Sequence, residues 1–185
     1  MARMIRTAFG AVMASVFVFA AAADTPRFVT TTGPTYDEKD FDMYLAGRDA
    51  RLVVRGDPFG MGNESFDRAV ASLLPNRRRG QTTNFTTVPG TDAVEGARLV
   101  FMFNPASIGN DPCSARGYKA DPSPREITLS AAWCPGSQAA THLTGYLGGA
   151  TGVDDAGFRA LVAETMLELF PSNNPENFMN EAADE

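Results

Sequence analysis

Two cysteines, Cys113 and Cys134, are the only ones in this chain of 185 residues, and a bond between them would constrain the fold more than any other feature of the sequence. The segment between them contains Gly117, Pro122 and Pro124 and has little pattern of regular structure. Closing a loop of this length would stabilise the folded chain by about 3 kcal/mol, through the entropy lost by the unfolded state. Whether the pair forms a disulfide, binds a metal or reacts depends on the compartment of the protein.

Residues 1–23 have the three parts of a signal peptide. Arg3 and Arg6 form a basic start, residues 8–20 are apolar, and small residues then precede Asp24. An uncleaved membrane anchor is the alternative, but the apolar run is short for a bilayer and has no charge at its end. The sequence therefore predicts cleavage before Asp24, a periplasmic or secreted protein, and no stable membrane insertion after cleavage.

Export answers the question about the cysteines. An oxidising compartment favours a disulfide between Cys113 and Cys134. No C-x-x-C motif and no cluster of ligands accompanies either cysteine, so redox exchange and metal binding are the weaker alternatives. No cysteine stands at the cleavage point, which argues against a lipoprotein. With 22 acidic and 16 basic residues the chain carries a net charge of −6, a poor basis for binding nucleic acid.

The mature chain divides into three parts. Residues 24–47 mix Thr, Pro, Gly and acids with isolated aromatic residues, and we expect an extended N-terminal leader without elements of its own. Residues 48–171 form a single α+β domain. Residues 172–185 are polar and acidic, and we expect a disordered tail.

Hydrophobic periodicity predicts five strands and two helices in the domain. The strands are centred on 52–54 or lie within 82–89, 97–105, 125–133 and 140–149. The first helix begins after Asn63 as N-cap and stops at Pro75, and the second is capped by Asp154 or Asp155 and ends before Pro171. Four successive strands favour antiparallel pairing. The expected fold is a two-layer sandwich, a mainly antiparallel sheet of about five strands with two helices packed on one face.

The strand at 97–105 is apolar on both of its sides. Leu99, Phe101 and Phe103 point to one face, which we expect to be the core under the helices, while Val100 and Met102 point to the other. This second face is otherwise mostly polar. Either the aromatic leader, residues 28–44, covers its apolar centre, or the centre is a contact surface for a partner or a second copy.

Tyr146 belongs to the same predicted surface, because it alternates with the apolar residues of its strand. The candidate partner surface is thus formed by Val100, Met102 and Tyr146.

Side chains that could support catalysis are scarce. His142 is the only histidine, and with Ser137 and an aspartate it would supply the groups of a hydrolase, although no G-x-S-x-G motif is present. Cys134, His142 and Met61 or Met102 could hold a soft metal, but a disulfide removes the thiolate from this set. H-E-x-x-H, P-loop, G-x-G-x-x-G and EF-hand patterns are absent. We therefore predict no catalytic residues, no metal and no cofactor.

Arg77, Arg78 and Arg79 form the one basic cluster of an acidic chain and could contact a phosphate or carboxylate. The alternative is a solvated turn whose charge complements the C-terminal end of the preceding helix.

The segments VVRGDPFG, RLVFMFNP, AAWC and FRALVAETMLELFP, spread over about residues 50–172, resemble a group of small uncharacterised bacterial exported proteins and lipoproteins. The resemblance implies a location in the bacterial envelope and no particular reaction.

These observations favour a non-enzymatic periplasmic domain that binds another envelope protein or forms a homodimer. The alternatives are a hydrolase centred on His142 and a periplasmic protein that binds a small ligand or a metal.

Overall fold

The structure, a computed structural model, describes residues 24–33, 35–78, 80–108, 111–114, 118–121 and 125–171. The predicted signal peptide and the predicted acidic tail lie outside the described residues.

The described elements follow one another along the whole of this range. In chain order they are β1 (Arg27–Thr32), a π-helical turn (Phe41–Leu45), β2 (Asp49–Arg55), α1 (Asn63–Leu73), β3 (Arg77–Arg78), β4 (Gln81–Thr82), β5 (Asn84–Thr86), β6 (Arg98–Phe103), β7 (Ile127–Cys134), β8 (Thr141–Leu147) and α2 (Ala156–Leu169).

The predicted α+β class is confirmed, with one mostly antiparallel sheet and two helices. The sheet has six strands rather than about five, in the order β1-β8-β7-β6-β2-β5, and β3 pairs with β4 in a separate hairpin. β2 lies between β5 and β6 and runs parallel to both, so β5 and β6 are not the antiparallel neighbours that their succession in the sequence favoured. The reason is α1, which returns the chain to the end of the sheet where β2 begins and so permits parallel strands.

The core lies between the helices and the face of the sheet predicted to be apolar. Phe103 of β6 contacts both helices, with ring centroids 5.0 Å from Phe66 of α1 and 5.7 Å from Phe158 of α2. Leu99 and Phe101 lie fully buried on the same side of β6. Burial of this continuous apolar layer is the main favourable contribution to folding.

The two helices begin differently. Of the two predicted cap residues, Asp154 and Asp155, it is Asp155 that caps α2, because its side chain accepts a hydrogen bond from the Gly157 amide at 2.9 Å. In α1 the cap is Gly62, with φ of 87°, and Asn63 is already the first helical residue. Glycine adopts a positive φ more readily than asparagine does. Gly62 therefore takes the cap position, and Asn63 begins the helix.

The N-terminal segment differs most from the prediction, since it contains two elements instead of an extended leader. β1 pairs antiparallel with β8 along its whole length. The side chain of Phe28 packs over Gly145 of β8, where an added Cβ would lie 2.9 Å from the Phe28 ring and 2.7 Å from Leu161. The glycine therefore provides the space through which β1 and α2 approach the same strand.

Residues 36–45 pack over the end of the core beside Trp133. Asp40 is buried and accepts a hydrogen bond from the indole nitrogen of Trp133 at 2.8 Å. The Trp133 ring also contacts Tyr44 and Phe170, with centroid distances of 5.6 and 5.4 Å. The Tyr36 hydroxyl donates to the Pro171 carbonyl at 2.8 Å. The segment thus holds the end of β7 and the end of α2 together.

We predict that Asp40→Asn changes the pH dependence of stability. Burial raises the pKa of Asp40, so the folded protein retains a proton that the unfolded chain releases near its ordinary pKa of about 3.9. The stability linked to this proton is present below that pH and is lost as pH rises through the folded pKa. The Asn variant can still accept the Trp133 hydrogen bond but should lack this decline.

Urea unfolding at a series of pH values from 3 to 7 measures the effect. Asp42→Asn, at an exposed position of the same turn, is the control. A variant with the same pH profile as the wild type would show that Asp40 does not carry the effect.

Candidate interaction surface

The predicted disulfide between Cys113 and Cys134 is present. Its Cα atoms are 5.8 Å apart, and it joins the segment after β6 to the last residue of β7. Both cysteines are buried, and the described residues contain no free cysteine.

Cys113 and Tyr118, in the segment between the two cysteines (here the disulfide segment), pack over the apolar centre of the second face of the sheet. Val100 and Met102 are only 4% and 5% exposed and cluster with Ala132 and the two cysteines. Tyr118 packs against the same cluster from outside. The apolar centre is thus covered neither by the leader nor left open, because residues of the disulfide segment lie over it. Val100 and Met102 are therefore not accessible to a partner in this conformation.

Arg98 of β6 binds the backbone at Cys113 and so holds the start of the disulfide segment against the sheet. Its guanidinium donates hydrogen bonds to the carbonyls of Cys113 at 2.7 Å, Gly136 at 3.0 Å and Gly96 at 2.8 Å. A guanidinium has five donors in a rigid plane, which suits it to hold three separate backbone segments. Sequence patterns had not indicated this role.

We predict that the double variant Cys113→Ala/Cys134→Ala loses about 3 kcal/mol of unfolding free energy. The physical reason is the restored conformational freedom of the unfolded segment between the two cysteines. Guanidinium unfolding of the oxidised wild type, the reduced wild type and the double variant measures the loss. A change below 1 kcal/mol in both would contradict a stabilising role.

The edge strand β1 remains accessible beside the covered centre. Val29 is 64% exposed, and Thr30 and Thr31 are exposed on either side of the strand. β1 is the last strand of the sheet order, so no described strand pairs with its outer edge. The sequence had suggested no element here, although the run RFVTTT is rich in β-branched residues.

The hydrogen bonds of the sheet determine which backbone groups of β1 point outward. The Gly33 amide donates to the Ala140 carbonyl at 2.8 Å. Amides of an extended strand alternate in direction, so those of Val29 and Thr31 also point toward β8. The amides and carbonyls of Phe28, Thr30 and Thr32 consequently point away from β8, as a row of donors and acceptors along the edge (28, 30 and 32).

Arg27 and Tyr146 lie beside the edge on the face of the sheet opposite the helices, here called the outer face. The Arg27 guanidinium lies 5.7 Å from the centre of the Tyr146 ring and 3.0 Å from a carboxylate oxygen of Glu126. Tyr146 is half-buried and lies opposite Arg27 of β1. This member of the predicted partner surface therefore lies beside the edge strand and not with the buried Val100 and Met102.

Helix α2 flanks the edge on the core side. The Thr30 hydroxyl donates to the carboxylate of Glu168 at 3.0 Å. Glu164 is exposed one turn earlier on the same side of the helix, and Leu167 is 58% exposed between them. An accessible strand edge therefore runs beside a helix face that carries two acids.

The side chains considered for the alternative hydrolase, Ser137 and His142, lie in a turn and a strand of the same hairpin. Ser137 is exposed in the β7–β8 turn and His142 is half-buried in β8, and within the described chain their side chains form no hydrogen bond with each other. The described residues also contain no group of three or more His, Cys, Asp or Glu that could hold a metal. Cys134 lies in the disulfide and cannot act as a thiolate ligand.

The arginine cluster forms part of the β3–β4 hairpin. Arg77 is exposed and pairs with Thr82 across the hairpin, Arg78 pairs with Gln81 through its backbone, and Arg79 lies outside the described residues. The proposed anion contact stays a prediction.

One cleft lies between α1 and β5 and has a volume of about 560 Å³. Several of its polar side chains are already engaged: Arg68 with Glu64, Ser72 with the Ala69 carbonyl, and Thr83 with the Arg48 carbonyl. The cleft therefore offers few convergent groups to a small ligand.

Comparison with known proteins gives no match among protein-family models, curated proteins or solved structures. Across the described residues, no helix has the length and apolar character needed to cross a membrane.

We predict an alternating pattern of amide hydrogen exchange in β1. The amides of Phe28, Thr30 and Thr32 point outward and should exchange about a hundredfold faster than those of Val29 and Thr31. NMR-detected exchange on the purified full chain measures each amide. Equal protection of all five would mean that the outer edge is already paired in the isolated protein, which would remove the candidate surface.

Proposed function

We propose that the protein is a non-catalytic, exported domain of the bacterial envelope that binds another protein by accepting a strand at the outer edge of β1. The observation that carries the proposal is the row of outward backbone groups at Phe28, Thr30 and Thr32, beside the exposed Val29. Main-chain hydrogen bonds to such an edge provide affinity, and the flanking side chains provide specificity.

Two other features support this function. The disulfide is suited to the oxidising periplasm predicted from the N-terminal sequence. We take the domain as a two-layer sandwich, in which the helices cover one face and leave the edge strand accessible.

The other end of the sheet is less suited to the same function. β5 has only three residues, Asn84–Thr86, and Asn84 already donates through its side chain to Asp49 at 2.7 Å. β1 has six residues, which is near the usual length of a paired strand. The longer edge can form more main-chain hydrogen bonds with an incoming strand.

We predict that Thr30→Pro abolishes partner binding while the fold is retained. Proline removes the outward amide of residue 30, but the bonds from Val29 and Thr31 to β8 remain. Wild type, Thr30→Pro and Thr30→Ala, each as the full chain, are immobilised and exposed to an envelope extract, and bound proteins are quantified. Wild type and Thr30→Ala should retain the same partner, and Thr30→Pro should lose at least nine-tenths of it.

Thr30→Ala serves as the matched control, because it loses the hydroxyl bond to Glu168 but keeps the amide. Circular dichroism and thermal unfolding verify that both variants fold. A native mass measurement tells whether the retained partner is a second copy or a different protein. Partner binding that survives in a folded Thr30→Pro protein would contradict the proposal.

A further inference from the structure

The β1 edge carries an electrostatic signature on its helix side. Glu168 is exposed and accepts the Thr30 hydroxyl bond, and Glu164 is exposed one turn before it. The basic residue of β1, Arg27, lies on the opposite face and pairs with Glu126. The helix side of the edge is therefore acidic and has no neutralising partner from β1.

The geometry of strand pairing determines what meets these acids. A residue of an incoming antiparallel strand placed opposite Thr30 would exchange two backbone hydrogen bonds with it, since the Thr30 groups point outward. Residues directly opposite each other project their side chains to the same face. The incoming side chain at this position would therefore extend toward α2, within reach of Glu168. Its two neighbours in sequence would lie on the outer face beside Val29 and Thr31.

A second copy of this chain does not fit this arrangement well. Two β1 strands related by a two-fold axis make the most backbone hydrogen bonds when Thr30 lies opposite Thr30, which also pairs Phe28 with Thr32 of the other copy. That register brings the two Glu168 carboxylates toward each other across the axis. Like charges beside a pairing edge are a common means of preventing self-association.

We propose that the strand accepted at β1 belongs to a different protein and is basic, with Lys or Arg facing α2 and β-branched apolar residues facing Val29. This inference rests on the proposed function and specifies its partner. Charge complementarity supports it at two levels: the local pair Glu164 and Glu168, and the net charge of −6 of the whole chain. Complementary charge accelerates encounter and selects among strands that would otherwise make the same main-chain bonds.

Two synthetic hexapeptides with blocked ends test the inference. One has the sequence Thr-Lys-Val-Lys-Val-Thr, and the other replaces both lysines by glutamate. An exposed ion pair changes affinity by up to about fivefold, and the glutamate peptide replaces attraction by repulsion. We therefore expect the lysine peptide to bind the full-length chain about tenfold more tightly in low salt, with a smaller difference at 1 M NaCl. Isothermal titration calorimetry measures both affinities.

Three variants locate the effect. Glu168→Lys should reverse the preference between the two peptides, and Thr30→Pro should abolish the binding of both. Glu95→Lys changes the net charge by the same amount but lies in the loop before β6, three strands from β1, and should leave the preference unchanged. Amide exchange at Phe28, Thr30 and Thr32 should slow when the lysine peptide is bound.

Each outcome separates this inference from the proposed function. Equal binding of both peptides, lost in Thr30→Pro, would overturn the basic partner and leave strand addition at β1 intact. Equal effects of Glu168→Lys and Glu95→Lys would also overturn it, because the charge would then act without reference to the edge. Absence of binding by either peptide overturns the basic-strand inference, whereas the immobilised-protein experiment with Thr30→Pro decides the proposed function independently.

Discussion

The hydrogen bond from the Trp133 indole to the buried Asp40 carboxylate fixes the N-terminal segment on which the accessible edge depends. β1 is bound to β8 on one side only, so its position also requires that the chain after it be held. That chain passes from Gly33 to the turn Phe41–Leu45, where Trp133 contacts both this turn and the end of α2. A buried carboxylate is costly unless it is hydrogen-bonded, and the indole supplies the required donor. The candidate surface is thus supported from within the core.

Sequence periodicity predicted those parts of the fold that depend on local patterns. The apolar stripe and Asp155 cap of α2, and the alternation in β6 that separates Phe101 and Phe103 from Val100, both agree with the structure. The parallel pairing of β2 with β5 and β6 did not follow from the pattern, because alternation determines the faces of a strand and not its neighbours. β1 was missed although RFVTTT is rich in β-branched residues, and its pairing with the distant β8 lies beyond any local pattern.

The candidate site was less accessible to prediction than the fold. The disulfide was predicted from the expected export and from the composition, but the burial of Val100 and Met102 beside it depends on tertiary packing. The juxtaposition of Thr30 with Glu168 joins residues that are distant in sequence, and neither has a motif. An edge strand is defined by the absence of a neighbour among the described strands, which no local pattern of residues can indicate.

The pairing of β1 with β8 has a consequence for the order in which the domain assembles. A chain synthesised from its N-terminus delivers β1 first and β8, the one described strand that pairs with it, almost last. Contacts so distant in sequence form slowly, because a long loop must close, at a cost in entropy, before the contacts contribute favourable energy. During this interval both edges of β1 are unpaired, so the folding chain exposes two β1 edges where the folded protein exposes one. A chaperone that recognises extended segments would therefore meet β1 before the sheet forms.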